Sequence, residues 1–293
     1  MKASGKLTAW TSNELPESVS KLAFVRNNPK VFSPRAFGAI RNIVFQDHFP
    51  DAKAPIRFTI PEAYCEIRTC LTKDMQTLYI GTPGGFNASY VCSGLFAGLD
   101  RVEQIIFENS CFHTDGARSF SRMFSGCKSL KAVSLKGFRT DKAKDFSLMF
   151  NGCESLVSLD LSGFDTTSGY DFSWMFCGCK SLESLDVRSF DIDRASWYSK
   201  YFDENCDAVY FRIPPHIHDM FSGCESLTDL DLKNFDTERV ISFCDLFANC
   251  RNLRNLQVGQ RFIITSEAKT DRMFAGCGRL DKAQLPPRLQ AFL

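Results

Sequence analysis

The string MFNGCESLVSLDLSGFDT, Met149 to Thr166, returns as MFSGCKSLKAVSLKGFRT from Met123, MFCGCKSLESLDVRSFDI from Met175 and MFSGCESLTDLDLKNFDT from Met220. Its leading pair recurs every 26 residues from Met123 to Tyr201-Phe202, then after 19 at Met220, 26 at Leu246 and 27 at Met273, and Leu95-Phe96 lies 28 before Met123. A unit this short cannot bury its own apolar face. Copies at a period in the twenties, carrying L-x-x-L-x-L, therefore have to stack on one another.

The leucine pattern extends further than the Met-Phe pattern. It runs Val19-Leu22-Phe24, Ile40-Ile43-Phe45, Met75-Leu78-Ile80, Val102-Ile105-Phe107, Leu130-Val133-Leu135, Leu156-Leu159-Leu161 and Leu182-Leu185-Val187. After a partial match at Val209-Phe211 come Leu227-Leu230-Leu232, Leu253-Leu256-Val258 and Leu280-Ala283-Leu285. These make about eleven coils, the first three degenerate.

Each coil has three parts. In L-x-L the apolar residues share one side of a short strand and the middle residue faces solvent. In DFSLMFNGC, Phe146, Met149 and Phe150 at i, i+3 and i+4 predict a short helical turn, with Gly152 at its left-handed cap and Asn249 substituting at the same place in a later coil. GFDT turns one aromatic inward at Phe138, Phe164, Phe190 and Phe235, and Asp165, Asp191 and Asp236 serve the turn that follows.

Taken together, Met-Phe, Gly-Cys, the leucine triad and Phe-Asp-Thr resemble the repeat of BspA-like leucine-rich repeat proteins, a family of bacterial and some protozoal surface proteins. The resemblance covers Cys92 to about Leu285, and Leu15-Pro16-Glu17-Ser18-Val19 and Arg35-Ala36-Phe37 are similar to a looser repeat of the same family. It implies a right-handed leucine-rich-repeat solenoid, with a parallel strand ladder on one face and short helical turns and loops on the other, used for adhesion or protein binding. RTDKAKDF and DTTSGYDF stand where the family often continues FDTS-x-V-T-x-M, which bears on the polar ladder between coils. The expected organisation is an N-terminal cap or tail at 1–18, degenerate coils at 19–91, regular repeats at 92–285 with a short irregular coil at 191–219, and an end at 286–293.

Thirty-five Lys and Arg against thirty-four Asp and Glu leave a formal charge of +1, too little to draw in nucleic acid. No run of about 18 apolar residues points to membrane insertion, and the opening residues have no apolar segment like that of a secretory signal. Cys127, Cys153, Cys179, Cys224, Cys250 and Cys277 each follow a phenylalanine by three residues, so they read as buried reduced thiols packing as small hydrophobes.

Outward strand positions form one column of Ser134, Asp160, Asp186, Tyr210, Asp231 and Gln257, and a second of Lys136, Ser162, Arg188, Arg212 and Lys233. This acidic stripe beside a basic one is either a recognition face or a solvated surface whose charges offset one another in water. The candidate binding residues are Ser134, Asp160, Asp186, Arg188, Tyr210, Arg212, Asp231 and Lys233, with Trp197 from the aromatic-rich irregular stretch. Asp160 beside Asp186 lacks the nucleophile or pocket that acid–base catalysis needs. On a helical turn His216 and His218 would point about 200° apart, unsuited to one metal ion. Gly81-Thr82-Pro83-Gly84-Gly85 lacks the lysine of a phosphate-binding loop and reads as a plain loop.

The resulting expectation is a monomeric, non-enzymatic module, without cofactor or metal, that binds a protein or surface glycan through its strand face. The resemblance places it at the cell surface or outside the cell. The alternative is an intracellular effector or inhibitor binding a protein with the same scaffold, which the free cysteines and the missing signal favour.

Overall fold

The computed structural model describes residues 5–7, 38–50, 56–60, 67–74, 76–88, 92–192, 198–202 and 208–292. Within a repeat, backbone N–H groups alternate between two kinds of partner. Phe146, Leu148, Phe150 and Gly152 donate sideways to the carbonyls of Asp171, Ser173, Met175 and Cys177 in the next repeat, at 2.7–2.9 Å. Met149, Asn151 and Cys153 donate back to Phe146, Leu148 and Phe150, at 3.0–3.2 Å. The helical turn expected from the spacing of Phe146, Met149 and Phe150 is therefore a chain of tight turns, because half of the donors a helix needs are spent on the neighbouring repeat.

Two left-handed residues reset the chain direction in each unit. The second is Gly126, Gly152, Gly178, Gly223, Asn249 or Gly276, with φ of 60–80°. The first is Gly94 at φ 65° in the Leu95-Phe96 repeat, but from there on it carries a side chain: Arg122, Leu148, Trp174, Asp219, Asp245 and Arg272 all sit at φ 53–57°. That conformation costs roughly 1–2 kcal/mol for a residue with a Cβ, and the sideways hydrogen bonds and buried neighbours offset it in those six repeats.

Between the turns lies an apolar interior built of columns. Phe96, Phe124, Phe150, Phe176, Phe221, Phe247 and Phe274 stack ring on ring, with centroids 5.2–5.9 Å apart and planes within 13°. Phe120, Phe146 and Phe172 form a second column, which Phe138, Phe164 and Phe190 meet at a tilt. The repeat cysteines are buried beside them and do more than fill space. Cys127, Cys153, Cys179, Cys224, Cys250 and Cys277 each donate the thiol to the phenylalanine carbonyl of the preceding repeat, at 2.9–3.3 Å.

The threonine of GFDT forms another ladder, which the turn pattern alone does not predict. Thr140 is buried, accepts the Asp165 N–H at 2.8 Å and donates to the Asp165 carbonyl at 2.9 Å. Thr114, Thr166 and Thr237 treat Arg139, Asp191 and Ile263 in the same way. A buried side chain that satisfies both backbone groups of a residue about 25 positions on removes two desolvation penalties at once.

Strands are short. Ser158–Leu159 pairs in parallel with Ser184–Leu185, and Asp229–Leu232 with Asn255–Val258, always residue for residue at the repeat distance. Near the N-terminus the strand order departs from the chain order. The sheet there runs Ile56–Ile60, Ile67–Leu71, Thr77–Gly81, Asn42–Gln46, Gln104–Phe107 and Ala132–Val133, with the first three antiparallel. Asn42–Gln46 thus lies directly against Gln104–Phe107, and the Leu78-Ile80 strand sits on its far side instead of between them. Gly5–Leu7 pairs in parallel with Phe86–Ala88, so part of the expected tail is a strand. Val19-Leu22-Phe24 lies outside the described residues.

The irregular stretch is not a shortened coil. Tyr198–Phe202 and Ala208–Arg212 pair antiparallel as a hairpin. Phe172, Trp174, Phe176 and Gly178 donate straight to His216, His218, Met220 and Ser222, at 2.7–3.1 Å. The repeat at Met175 therefore stacks on the repeat at Met220, and the chain between them is an excursion. The pair Tyr201-Phe202 keeps the 26-residue step, but it lacks the Gly-Cys and leucine positions that would let it stack.

At the other end Leu280 and Leu285 are buried as the pattern requires, but Lys282–Gln284 is a 3-10 turn in place of a strand. The following helix, Pro287–Gln290, buries Leu289 completely, and Arg288 donates to the carbonyls of Phe262 and Gly259 at 3.2 and 2.6 Å. Residues 286–292 close the last layer.

Candidate binding surface

Ser134, Asp160, Asp186, Arg188 and Lys233 are exposed, and Asp231 is half-buried. Beneath them Leu159, Leu185 and Leu230 are buried, so the strand face is a polar surface on an apolar support. Tyr210 and Arg212 leave the two columns because they belong to the hairpin, and Trp197 lies outside the described residues. With the hairpin out of the stack, the strand bearing Asp229–Leu232 follows Ser184–Leu185 as the next rung.

Each aspartate on this face has a local role. Oδ1 of Asp160, Asp186 and Asp231 accepts the N–H of Ser162, Arg188 and Lys233, each at 3.0 Å, a side-chain turn that ends the strand. The Arg188 guanidinium forks onto Asp186 at 3.0 and 2.7 Å and holds its carboxyl at about 2. Hydrogen bonds from Ser162 lower Asp160 as well. Both carboxyls are thus stabilised as anions and do not divide into an acid and a base. Ser162, Asp186, Arg188 and Ser189 line a shallow depression, and Asn234 at its edge donates to the Arg188 carbonyl at 2.6 Å.

A further charge pattern follows the repeat cysteines. Lys128, Glu154, Lys180, Glu225 and Arg251 alternate in sign, with Lys180 2.7 Å from Glu154 and Arg251 3.7 Å from Glu225. Such solvated pairs add little stability but disfavour a shift of register, which would set like charges side by side. The alternation is readable in the sequence once the repeats are aligned.

The turn face carries the other polar groups. Asp145 accepts the Ser147 N–H and hydroxyl at 2.9 and 2.7 Å, and the Ser119 hydroxyl at 3.3 Å from the preceding repeat. Asp171 likewise takes the Ser173 N–H and hydroxyl at 3.0 and 2.6 Å. One rung on, the positions of Asp171 and Ser173 are occupied by His216 and His218. Their ring centroids are 6.3 Å apart, on the same side, because the chain alternates here as a strand does and residues two apart share a face. Helical geometry had set them on opposite flanks.

Nδ1 of His216 lies 3.8 Å from Oδ2 of Asp171, and the His218 ring meets Trp174 edge to face at 4.2 Å. Burial lowers His218 and raises Asp219, which the charge of Asp245 raises further. Among the described residues no group of three or more His, Cys, Asp or Glu is arranged as a metal site. The Gly81–Gly85 loop spends its donors internally: Gly84 N–H goes to Asp47 and Gly85 N–H to Thr82, at 2.9 and 3.0 Å.

No helix among the described residues is long and apolar enough to cross a membrane. Searches of curated proteins and of solved structures give no match. A family profile matches residues 91–210 and 215–285, beginning where the turn ladder begins and breaking at the end of the hairpin. The chain belongs to the family described as Mycoplasma protein of unknown function, DUF285.

Proposed function

We propose that the stacked repeats form a right-handed, BspA-like leucine-rich-repeat solenoid that acts as a non-enzymatic binding module, taking a protein or surface glycan on its strand face in adhesion or host interaction. The observation that carries this reading is the separation of layers. Asp160, Asp186, Arg188 and Lys233 stand outward on neighbouring rungs over buried leucines, so these residues can change without disturbing the core. The test is a variant with Asp160→Asn, Asp186→Asn, Asp231→Asn, Arg188→Gln and Lys233→Gln. Asparagine keeps the acceptor that closes each turn. The expected result is a parent-like melting curve with loss of adhesion to host-cell monolayers and of binding on glycan and host-protein arrays. Unchanged binding removes the strand face, and a parent that binds none of these surfaces removes the adhesion reading.

A second reading, an intracellular effector or inhibitor, is favoured by the buried thiols. Burial pushes the Cys127 thiol up to about 12 and raises Cys153, Cys179 and Cys224 well above the ordinary thiol range. Titration of thiols in protein isolated from its native source without reductant separates the two, since extensive disulfides favour export.

A further inference from the structure

We propose that His216 and His218, backed by Asp171, form a binding site for a divalent transition-metal ion of the Zn²⁺ class on the turn face of the stack. Two imidazoles on residues i and i+2 of an extended segment point the same way, and their centroids are 6.3 Å apart. A metal–nitrogen bond of about 2.0–2.1 Å places each ring centroid roughly 3.2 Å from the ion, so a tetrahedral ion draws two such centroids to about 5.2 Å apart. Side-chain rotation that closes the pair by about 1 Å brings both rings onto one ion.

The backbone under the pair is already fixed. His216 N–H donates to the Tyr170 carbonyl at 2.8 Å, the His216 carbonyl accepts Phe172 N–H at 2.9 Å, and the His218 carbonyl accepts Trp174 N–H at 3.1 Å. Pro214 and Pro215 precede the pair and restrict the approach of the chain. Rotamer freedom is therefore the main entropy lost on binding.

The groups around the rings divide the work. Oδ2 of Asp171 lies 3.8 Å from Nδ1 of His216, an ion-pair distance, and closing that gap as the ion binds would hold the ring with Nε2 toward the metal. Trp174 packs against His218 and limits where its ring can swing. Asp219 and Asp171 both act electrostatically on His218 and add to the negative field that favours a cation. The ion completes its coordination with water, which makes the site open and exchangeable, unlike a closed structural site. Because Asp171 belongs to the preceding repeat, binding ties together the two repeats between which the hairpin leaves the stack.

Zn²⁺ titration of the full chain by calorimetry, with a parallel Co²⁺ absorbance titration, tests the site. The parent is expected to saturate at one equivalent. His216→Ser with His218→Ser installs the residue that Ser119 and Ser121 supply in the same two columns, so the variant is expected to fold, checked by circular dichroism, and to lose saturable binding. Asp171→Asn is expected to weaken binding about tenfold. Parent-like Zn²⁺ binding by the folded double variant overturns the proposal. So does a parent that fails to saturate, or a cobalt spectrum with a sulfur charge-transfer band, which moves the ion to a thiol such as Cys177 or Cys244.

Discussion

The strand side and the turn side of each repeat hold the stack in different ways. On the strand side the paired segments span two to four residues, and the ladder is broken into separate sheets at Ser158–Ser184 and at Asp229–Asn255. On the turn side the sideways N–H bonds, the thiol ladder and the phenylalanine column all continue across the hairpin. Register is thus specified mainly by the turns. The strand face, the surface proposed to meet a partner, is correspondingly free to vary.

The largest test of this difference is truncation. Phe150→Ala interrupts the column of seven rings and is expected to cost about 3–5 kcal/mol in urea unfolding, against about 2 kcal/mol for Leu159→Ala, the low end for leucine at a site 8% exposed. Equal losses would mean that the two sides share the load. Thr166→Val keeps the shape but removes the hydroxyl that holds both backbone groups of Asp191, so a loss of about 1–3 kcal/mol is expected. The exposed neighbour Thr167 is its control, and a similar loss from Thr167→Val would deny the buried ladder its role.

Cys153→Ala is expected to cost about 1 kcal/mol, because the Phe124 carbonyl still accepts the Cys127 N–H at 3.2 Å after the thiol is gone. In native alkylation at pH 8 the half-buried Cys177 and Cys244 should react before the buried repeat cysteines. Prompt labelling of Cys153 or Cys179 would show that the column opens. The smallest effect concerns acid. The Asp186 carboxyl is lowered to about 2 in the folded chain, so its contribution is present above the unfolded carboxylate range near 4 and fades as pH falls through about 2. Being exposed, it is screened by salt. Asp186→Asn should flatten that part of the pH–stability curve slightly, and a change near neutral pH would assign the slope to another group.

Much of the stack is legible in the sequence because its determinants recur in place: Phe150, Cys153, Leu156 and Leu159 are buried as their period requires. The roles of Thr166 and Cys153 as donors to neighbouring repeats were not legible from a single copy, since each partner lies about 25 to 29 residues away and only a known register identifies it. Tyr201-Phe202 misleads for the opposite reason: it keeps the spacing without the surrounding residues, and the real continuation is at Met220. At the turn face the assumption of a helix separated His216 from His218, and the alternating hydrogen bonds bring them together.

The hairpin of Tyr198–Phe202 and Ala208–Arg212 lies outside the stack, between Ile192 and His216 in the chain, yet Phe176 and Phe221 still stack at 5.9 Å. A break in the covalent order thus leaves no gap in the packing. Such a junction is a permissive site, where segments can be gained, exchanged or lost over evolutionary time, or grafted by design, while the molecules on either side of the change keep the same scaffold.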